Sequence, residues 1–459
     1  MGAAISEFTG QKGSKKDQTA DVIVIGGGAS GMMAALTAAE AGASVLLLEK
    51  NEKLGRKIYI TGKGRCNFTN ACAPEDFFSH VPRNGNFLYS SIYGFDPDAA
   101  ILWFEEHGMR TKVERGSRAF PESDHASDVT RTLERAMKEA GVTVRLNTEV
   151  REILCGDDPD ENTENAGDIP CKPGEDRCFP HVCGVRLSGG KVIRAKAVII
   201  ATGGLSYPST GSTGDGYRFA KAAGHTVTPM TPSLVPLRSR EEDLFEMQGL
   251  SLRNVTLKVF DGKKKVWEGF GELMFTHFGV TGPLVLTASS DLQERLKKGA
   301  LAAEIDLKPA LSDQTLDARI LREFETSPNK EIRNVIPALY PQKMVPVILK
   351  RTGIDPDKAV HDITKAERQS LIENTRHFHF TITGTGGYNE AVITHGGVSV
   401  REVDPGTMES KKKKGLFFSG EVLDVDAHTG GFNLQIAWAT GRAAGYAAAD
   451  YAAAAGTGA

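Results

Sequence analysis

The sequence predicts an α/β protein whose parallel-sheet domain is interrupted by an insertion. Three observations support this fold class. A β-branched run at 21–25 leads through a glycine-rich turn into a helix of small residues. Two later apolar strands, in 198–204 and 415–425, also run into glycine-containing turns. Between these two strands the pattern changes to short alternating strands and amphipathic helices, which is typical of a separate domain.

The first element is a βαβ unit of about 30 residues. DVIVI predicts a buried parallel strand, MMAALTAAEAG a helix that ends at Gly42, and SVLLLEK a second strand that ends at Glu49. Gly26, Gly28 and Gly31 have the G-x-G-x-x-G spacing between the first strand and the helix. In that position they make the turn, let the backbone approach a pyrophosphate, and let the helix pack on the strand. The unit therefore predicts a dinucleotide site, against the alternative of a glycine-rich turn without a ligand.

Glu49 indicates which dinucleotide is bound. A carboxylate at this position accepts hydrogen bonds from a ribose diol and would repel a ribose 2′-phosphate, which leaves NAD or FAD. VIIATGG, which ends in Thr202, Gly203 and Gly204, favours FAD. In flavoproteins with two dinucleotide domains, a late strand returns beside the first and ends in ATG. The alternative is an ordinary buried strand with a glycine turn.

A third segment completes the predicted site. After the strand GLFFSGEVLDV, glycines at 430 and 431 precede a helix that begins at about Asn433. Its N-terminal amides can face the N1–C2=O edge of a flavin and stabilise the anionic reduced form. Asp424 is expected to contact ribityl or pyrophosphate groups through water. The alternative is a C-terminal packing helix preceded by a glycine turn.

The segment TGKGRCNFTN at 61–70 could be a phosphate loop, a nucleic-acid contact or a redox site. It lacks the strand–GxxxxGK[ST]–helix order of a phosphate loop. Cys66 has no C-x-x-C partner, so a packing or flavin-lining cysteine is favoured over a redox thiol. We predict cofactor contacts from Arg56, Lys57 and the 62–67 backbone. The complete predicted FAD site is Gly26, Gly28, Ala29, Ser30, Gly31, Glu49, Lys50, Arg56, Lys57, Gly64, Cys66, Asn67, Val150, Thr202, Gly203, Gly204, Gly420, Glu421, Asp424, Gly430, Gly431 and Asn433.

The predicted organisation has three parts. Residues 1–20 are expected to form a disordered tail, 21–225 with 394–459 the FAD-binding domain, and 226–393 an inserted β-rich and helical domain that covers the substrate. The acidic stretch 156–180 predicts a mobile loop at a hairpin tip. The cysteines at 171, 178 and 183 fit no standard metal spacing, so no metal site is predicted.

Composition limits the other classes. The 459 residues carry a formal net charge of −3, so no global basic field indicates a nucleic-acid partner. No apolar run reaches the roughly 18 residues that span a bilayer, and the polar N-terminus lacks a signal-peptide core. We therefore expect a cytoplasmic protein with a small-molecule substrate, and the sequence leaves its oligomeric state open.

Several longer motifs extend from about Val22 to the C-terminal helix. They are GGGASG, LGRKIYITGKGRCNFTN, ATGGLSYPSTGSTGDGY, GELMFTHFGVTGP, ITHGGVSVREVDPGTMESK and GLFFSGEVLDVDAHTGGFNLQIAWATG. Together these motifs resemble the YhiN/BaiN-like family of NAD(P)/FAD-dependent oxidoreductases. The resemblance implies a glutathione-reductase-like FAD domain, discontinuous in sequence, with an inserted β-barrel and helical region. The family includes 3-dehydro-bile acid Δ4,6-reductases, which saturate a C=C bond conjugated to a ketone.

These observations predict an FAD-dependent oxidoreductase acting on CH–CH groups of a small enone, such as a 3-oxo-Δ4,6 steroid or bile acid. Only one strand-associated G-x-G-x-x-G is present, so NAD(P)H is expected to dock transiently as the electron donor. His277, in GELMFTHFGVTGP, is the candidate proton donor or carbonyl-polarising group, against the alternative of a turn histidine in a hinge. The alternative functions are an FAD-dependent RNA-modifying enzyme and a non-catalytic flavin redox sensor.

Overall fold

The computed structural model describes residues 19–156 and 181–457. The chain forms two compact units, which divide at Thr231/Pro232 and at Ile393/Thr394. The first unit contains both ends of the described chain, and the second is the continuous segment Pro232–Ile393. Most of the predicted tail and of the acidic loop lies outside the described residues, together with Cys171 and Cys178.

The first unit alternates strands and helices before the chain leaves it, as the βαβ pattern predicts. Its elements are β1 (Thr19–Ile25), α1 (Ala29–Glu40), β2 (Val45–Leu48), α2 (Arg56–Ile60), β3 (Thr69–Asn70), α3 (Pro74–Phe77), α4 (Tyr89–Gly94), α5 (Pro97–Glu106), β4 (Thr111–Glu114), β5 (Arg118–Pro121), α6 (Ala126–Glu139), β6 (Thr143–Arg145), β7 (Val150–Gly156), β8 (His181–Leu187), β9 (Val192–Ile200) and α7 (Asp215–Ala222).

The second unit and the return of the chain supply the remaining elements. A short strand, β10 (Thr231–Ser233), lies where the chain crosses between the units. The others are β11 (Leu237–Ser239), α8 (Asp243–Glu246), β12 (Ser251–Asp261), β13 (Lys264–Thr276), β14 (Gly279–Thr281), α9 (Pro283–Leu296), β15 (Leu301–Asp306), α10 (Asp313–Glu325), α11 (Ile332–Val335), α12 (Val345–Thr352), α13 (Lys365–Arg376), β16 (Phe378–Thr385), β17 (Ile393–His395), β18 (Leu416–Phe418) and α14 (Phe432–Thr457).

The central sheet of the first unit is parallel in the order β6-β2-β1-β9-β18, and the β7–β8 hairpin pairs with the first half of β9. β1 and β2 are buried along most of their length, which explains why they read as continuous apolar runs. The late strand β9 lies directly beside β1, with Ile200 opposite Ile25, as the ATGG pattern predicted. The carboxyl ends of β1, β2, β9 and β18 therefore meet at one edge of the sheet, where open α/β folds bind their ligands.

Small residues let α14 pack closely on α1. A Cβ on Gly441 would lie 2.5 Å from the backbone oxygen of Ser30, and one on Gly445 would lie 2.5 Å from that of Ala34. Both contacts are far shorter than a real side chain permits, so only glycine allows the two helices to approach this closely. This packing places Gly441, nine residues past the start of α14, against Ser30 in the first turn of α1. The predicted helix with small residues on one side is confirmed, and it begins at Phe432.

The second unit is a closed six-stranded barrel in the order β11-β14-β13-β12-β15-β16. Alternate residues of β12 point into its core, including Val255, Leu257 and Val259, which are almost completely buried. Helices α10 to α13 share the same apolar cluster, and a capping box between Thr364 and Glu367 begins α13. The inserted β-barrel and helical region implied by the family resemblance is therefore confirmed.

Across the described ranges, the structure has no helix that is both long and apolar enough to cross a membrane.

Candidate functional site

The glycine turn after β1 shows which glycines serve the fold and which leaves room for a ligand. A Cβ on Gly26 would lie 2.6 Å from the oxygen of Ala201, and one on Gly31 would lie 1.9 Å from the oxygen of Gly26. Around Gly28, by contrast, a Cβ would meet nothing within 4 Å. Gly28 also caps α1 without a side-chain acceptor, so the first amides of this helix are available to an anion. The turn therefore fits a pyrophosphate that approaches at Gly28.

Glu49 follows β2 and is buried against the same turn. Its Oε2 accepts a hydrogen bond from the Gly27 N–H at 2.7 Å. Its Oε1 accepts from the backbone and side-chain amides of Asn51, at 2.8 and 2.6 Å. These bonds fix the orientation of the carboxylate, and a carboxylate has about four acceptor positions. Three of these positions are used by Gly27 and Asn51, so Glu49 keeps one, on Oε2, that can accept a hydrogen bond from a ribose hydroxyl.

Two basic residues that were predicted to contact the cofactor bind protein groups in the structure. Lys50 pairs with Asp215 at 2.6 Å, and Arg56 donates to the Asn51 side chain at 3.1 Å. Arg56 also lies 3.4 Å from Glu52, which precedes it by four residues in the turn before α2. Their contact with a cofactor stays a prediction, and the sequence offered no signal for Asn51 or Asp215.

Lys57 and Glu421 form the centre of a hydrogen-bond network at the carboxyl edge of the sheet. Lys57 Nζ lies 2.6 Å from Glu421 Oε2 and also donates to Ser206. The other carboxylate oxygen accepts from Ser206 and from the Thr394 N–H. Thr394 Oγ1 in turn accepts from the Leu205 N–H at 2.8 Å. The network therefore links α2, the turn after β9, β17 and the segment after β18, which we call the edge network.

Predicted contact residues carry buried polar atoms that have no hydrogen-bond partner in the described part of the chain, Asp424 Oδ1 among them. Asn67 Oδ1 and Thr202 Oγ1 are both buried without a hydrogen-bond partner in the described part of the chain. Leaving such an atom unpaired costs about 1–3 kcal/mol. A polar ligand at the carboxyl edge of the sheet would remove this cost. Together with the open space at Gly28 and the position of Glu49, these atoms fit a dinucleotide such as FAD.

The turn before α14 is built by its own residues and by β3. Asn433 Oδ1 accepts from the Ala427 N–H at 2.8 Å, and its amide nitrogen donates to the Ala427 oxygen at 2.7 Å. Gly431 has φ 99°, and a Cβ there would lie 2.4 Å from the carbonyl of Thr69. The side chain of Asn433 thus shapes the turn, and the contact of Asn433 with FAD stays a prediction.

The remaining predicted contacts lie on the same unit. Ser30 donates to the Ser419 oxygen at 3.3 Å, which ties α1 to the end of β18. Val150 is the buried first residue of β7. Gly64, Gly203 and Gly420 all have positive φ, so each holds a turn that favours glycine. Their contacts with FAD stay predictions.

Cys66 is completely buried and has φ 58°, which is unusual for a residue other than glycine. Burial raises the pKa of its thiol far above the ordinary range. A thiol that stays protonated is a poor nucleophile. The structure therefore supports a packing cysteine at this position, rather than a redox thiol.

We expect Cys66→Ala to retain FAD and to turn over within about threefold of the wild-type rate, because loss of a protonated buried thiol removes packing and no chemistry. The measurement is steady-state turnover with the flavin content determined from absorbance. Cys66→Ser serves as a second variant that keeps the size of the side chain. Near-complete loss of turnover in both, with FAD retained, would contradict the packing role.

A cluster that the sequence analysis missed joins Asp424 to a histidine. Arg83 Nη2 lies 3.0 Å from Asp424 Oδ2, and Arg83 Nη1 lies 3.2 Å from His395 Nε2. His395 Nδ1 lies 2.9 Å from Asp426 Oδ1. The hydrogen bond with Asp426 raises the pKa of His395 against the opposing effect of burial, and burial raises the pKa of Asp424. We call Arg83, His395, Asp424 and Asp426 the His395 cluster.

His277 lies in the barrel unit, at the turn between β13 and β14. Its ring is exposed and contacts the Phe278 ring edge-on, with 4.8 Å between the centroids. Its role as a proton donor stays a prediction. In the part of the chain that is described, no group of three or more His, Cys, Asp or Glu side chains is arranged to hold a metal ion.

The sheet order, the glycine turn and the inserted barrel define this chain as a protein of the FAD-binding Rossmann class, with the architecture of FAD-dependent oxidoreductases. It belongs to the HI0933-like family, because the family's Rossmann domain matches residues 20–447. This match confirms the YhiN/BaiN-like resemblance of the motifs.

Three relatives match the chain over almost their whole length. The chain is 30% identical to a 3-dehydro-bile acid delta(4,6)-reductase of Clostridium scindens over 93% of this chain and 98% of that protein. It is 32% identical to a ribosomal RNA dihydrouridine synthase of Haemophilus influenzae, over 92% and 97% of the two chains. A ribosomal RNA dihydrouridine synthase of Escherichia coli is 31% identical over 92% and 96%.

A solved structure shares the fold. The 3-ketosteroid-delta4-(5alpha)-dehydrogenase from Rhodococcus jostii superimposes with a TM-score of 0.50 at 14% identity, covering 94% of this chain and 97% of that one. At this identity the similarity concerns the architecture alone.

Proposed function

We propose that this chain is an FAD-dependent reductase that saturates a C=C bond conjugated to a carbonyl group. The observation that carries the proposal is the chemistry shared by its relatives. A 3-dehydro-bile acid delta(4,6)-reductase acts on double bonds conjugated to a 3-oxo group, and a dihydrouridine synthase saturates the uracil double bond next to a carbonyl. The substrates differ greatly in size, but the reacting groups are the same.

The residues of the first unit fit the cofactor part of the proposal. The first amides of α1 would hold the pyrophosphate, Glu49 the ribose, and the turn at Gly430 and Gly431 the flavin ring. FAD supplies the two electrons that the double bond takes up. The edge network keeps these segments in register, because Lys57 and Glu421 connect α2 to the segment after β18.

The first candidate substrate is a small hydrophobic enone, such as a 3-oxo-Δ4,6 steroid or bile acid, with NAD(P)H as the donor. The formal net charge of −3 supports a small substrate over RNA. The second candidate is a uridine in ribosomal RNA, which the names of two relatives favour. A non-catalytic flavin sensor is the remaining alternative.

Anaerobic mixing of the FAD-loaded protein with NADH or NADPH tests the donor. We expect at least one of the two to bleach the oxidised flavin absorbance within seconds, because a dedicated electron donor must reduce the flavin in each catalytic cycle. The measurement is stopped-flow absorbance, with dithionite-reduced protein as the reference for full reduction. Failure of both nicotinamides to reduce the flavin would contradict NAD(P)H dependence.

The acceptor is tested separately on protein that dithionite has already reduced, so the outcome does not depend on the donor. We expect rapid reoxidation by a 3-oxo-Δ4,6 steroid, and none by the saturated 3-oxo steroid, which lacks the double bond. Unmodified ribosomal RNA, made by in vitro transcription, is tested as the alternative acceptor in the same assay. Reoxidation by RNA alone would select the second candidate, and reoxidation by neither would leave the flavin sensor.

A further inference from the structure

We propose that His395, oriented by Asp426 and gated by Arg83, is the proton donor of the reduction. This inference rests on the proposed function, because it assigns a role within that reaction. His395 follows Thr394 in the chain, and the Thr394 N–H donates a hydrogen bond to Glu421 in the edge network. The cluster is therefore attached to the carboxyl edge of the sheet where the cofactor residues meet.

The loop that carries Arg83 is fixed to the segment that carries the two aspartates. The Asn84 side-chain amide donates to the backbone carbonyl oxygen of Asp424 at 2.6 Å, and the His428 N–H donates to the backbone carbonyl oxygen of His80 at 2.9 Å. His80 also stacks on Phe432, the first residue of α14, with 4.2 Å between the ring centroids. The His395 cluster is thus held between the edge network and the start of the helix that would face the flavin.

Burial differs along the cluster in a way that fits a proton donor. The Asp426 side chain is 1% exposed and that of Asp424 is 4% exposed, whereas His395 is 19% and Arg83 41% exposed. The carboxylates therefore lie inside, while the imidazole and the guanidinium reach the surface. A buried carboxylate behind an accessible imidazole fixes the ring and favours its protonated form.

The hydrogen-bond partners of His395 determine which ring nitrogen carries the proton in this structure. A guanidinium has only donors, so at 3.2 Å from Arg83 the Nε2 atom acts as the acceptor. The imidazole proton then lies on Nδ1, which donates to Asp426 at 2.9 Å. Protonation of Nε2 requires Arg83 to turn away. A carbonyl oxygen of an incoming enone is an acceptor for Arg83, so substrate binding frees Nε2 to carry the proton.

Asp424 Oδ2 lies 3.0 Å from Arg83 Nη2 and holds the guanidinium beside the imidazole. In the reaction, the C=C π bond breaks and two C–H bonds form. When bound, reduced FAD would supply the hydride equivalent to one carbon, with its two electrons drawn from NAD(P)H. His395 Nε2 would donate the proton to the other carbon, and the imidazole would regain its proton from water.

The first readout does not depend on activity. In NMR titrations of the histidine rings, we expect Asp426→Asn to lower the pKa of His395, because the hydrogen bond to the carboxylate is what raises it. Arg83→Ala is expected to raise the pKa, because the positive charge of Arg83 opposes protonation. The charged groups that act on the ring are Asp426, Asp424 and Arg83. If the pKa of His395 is the same in both variants as in the wild type, the assignment of Asp426 and Arg83 as partners of His395 is overturned.

The second readout separates the two half-reactions of the holoenzyme. His395→Asn keeps a hydrogen-bonding group for Asp426 and removes the proton donor, so we expect normal FAD content and normal reduction by NAD(P)H. Reoxidation by the 3-oxo-Δ4,6 steroid is expected to slow about 100-fold, the lower end of what general acids contribute. His361→Asn is the matched control, because His361 forms an exposed pair with Asp362 at 3.4 Å in the barrel unit.

The outcomes are distinct. Unchanged reoxidation in His395→Asn, or a 100-fold loss in His277→Asn in its place, would overturn the assignment while the proposed function stands. Wild-type protein whose reduced flavin no enone reoxidises would remove the proposed function and this inference with it. A slowed reoxidation in His395→Asn, unchanged in His361→Asn, supports the proposal.

Discussion

Gly28→Ala is expected to weaken FAD binding at least about tenfold, equivalent to roughly 1.4 kcal/mol, while the protein remains as stable as the wild type. The added methyl group meets no protein atom within 4 Å, so the apo fold has room for it. The backbone at Gly28 is extended, with φ −82°, which alanine adopts without strain. The methyl group would instead occupy the space where the pyrophosphate approaches. The measurements are FAD affinity by fluorescence titration and thermal unfolding of the apo protein.

Gly31→Ala is the matched comparison, because the same methyl group meets the opposite environment. Its Cβ would lie 1.9 Å from the oxygen of Gly26, so the start of α1 must move. This variant is expected to lose both stability and FAD. Equal loss of stability in the two variants, or full FAD affinity in Gly28→Ala, would contradict the assignment of Gly28 as the phosphate approach.

Glu421→Ala is expected to destabilise the protein by about 2–3 kcal/mol, because it removes the carboxylate that receives Lys57, Ser206 and the Thr394 N–H. The side chains of Glu421 and Lys57 are 11% and 26% exposed, so water replaces the lost partner only in part. FAD content should fall as well, since α2 and the segment after β18 lose their connection. The measurement is the free energy of unfolding from denaturant titration, with and without added FAD.

The control is the Arg56–Glu52 pair on the same part of the chain. Glu52 is 67% exposed and lies 3.4 Å from Arg56, so Glu52→Ala should change stability by no more than about 0.5 kcal/mol. A double-mutant cycle with Lys57→Met and Glu421→Ala then isolates the interaction between Lys57 and Glu421. A coupling free energy near zero in that cycle would mean that the edge network does not hold the segments together.

Much of the cofactor site was predictable because its requirements are local. Gly26 and Gly31 are needed within a single turn, and Glu49 follows directly from the end of the next strand. The inserted barrel came from family resemblance rather than from periodicity, since short alternating strands predict a β-rich domain without its closure. The helix with small residues was visible, but its close packing on α1 through Gly441 and Gly445 was not.

Polar side chains show the limit of such prediction. Nothing in the sequence indicated that Lys57 and Glu421 pair with each other across 364 positions of sequence. Nor did it indicate that the side chain of Asn433 closes the turn before α14. The contacts of these three residues with a cofactor stay predictions. The residue type shows which donors and acceptors a side chain has. Which partner it bonds to depends on the segments that the fold brings together.

The sequence alone determined the parts of this protein that depend on neighbouring residues: the βαβ unit, the glycine turn, and the strands that end at a common edge. The tertiary structure decided the rest, because Arg83, His395 and Asp426 come from three separate segments. No spacing rule connects these residues. They meet only after β17 and the segment beyond β18 fold against the loop at 80–84, and that packing gives the imidazole its buried carboxylate.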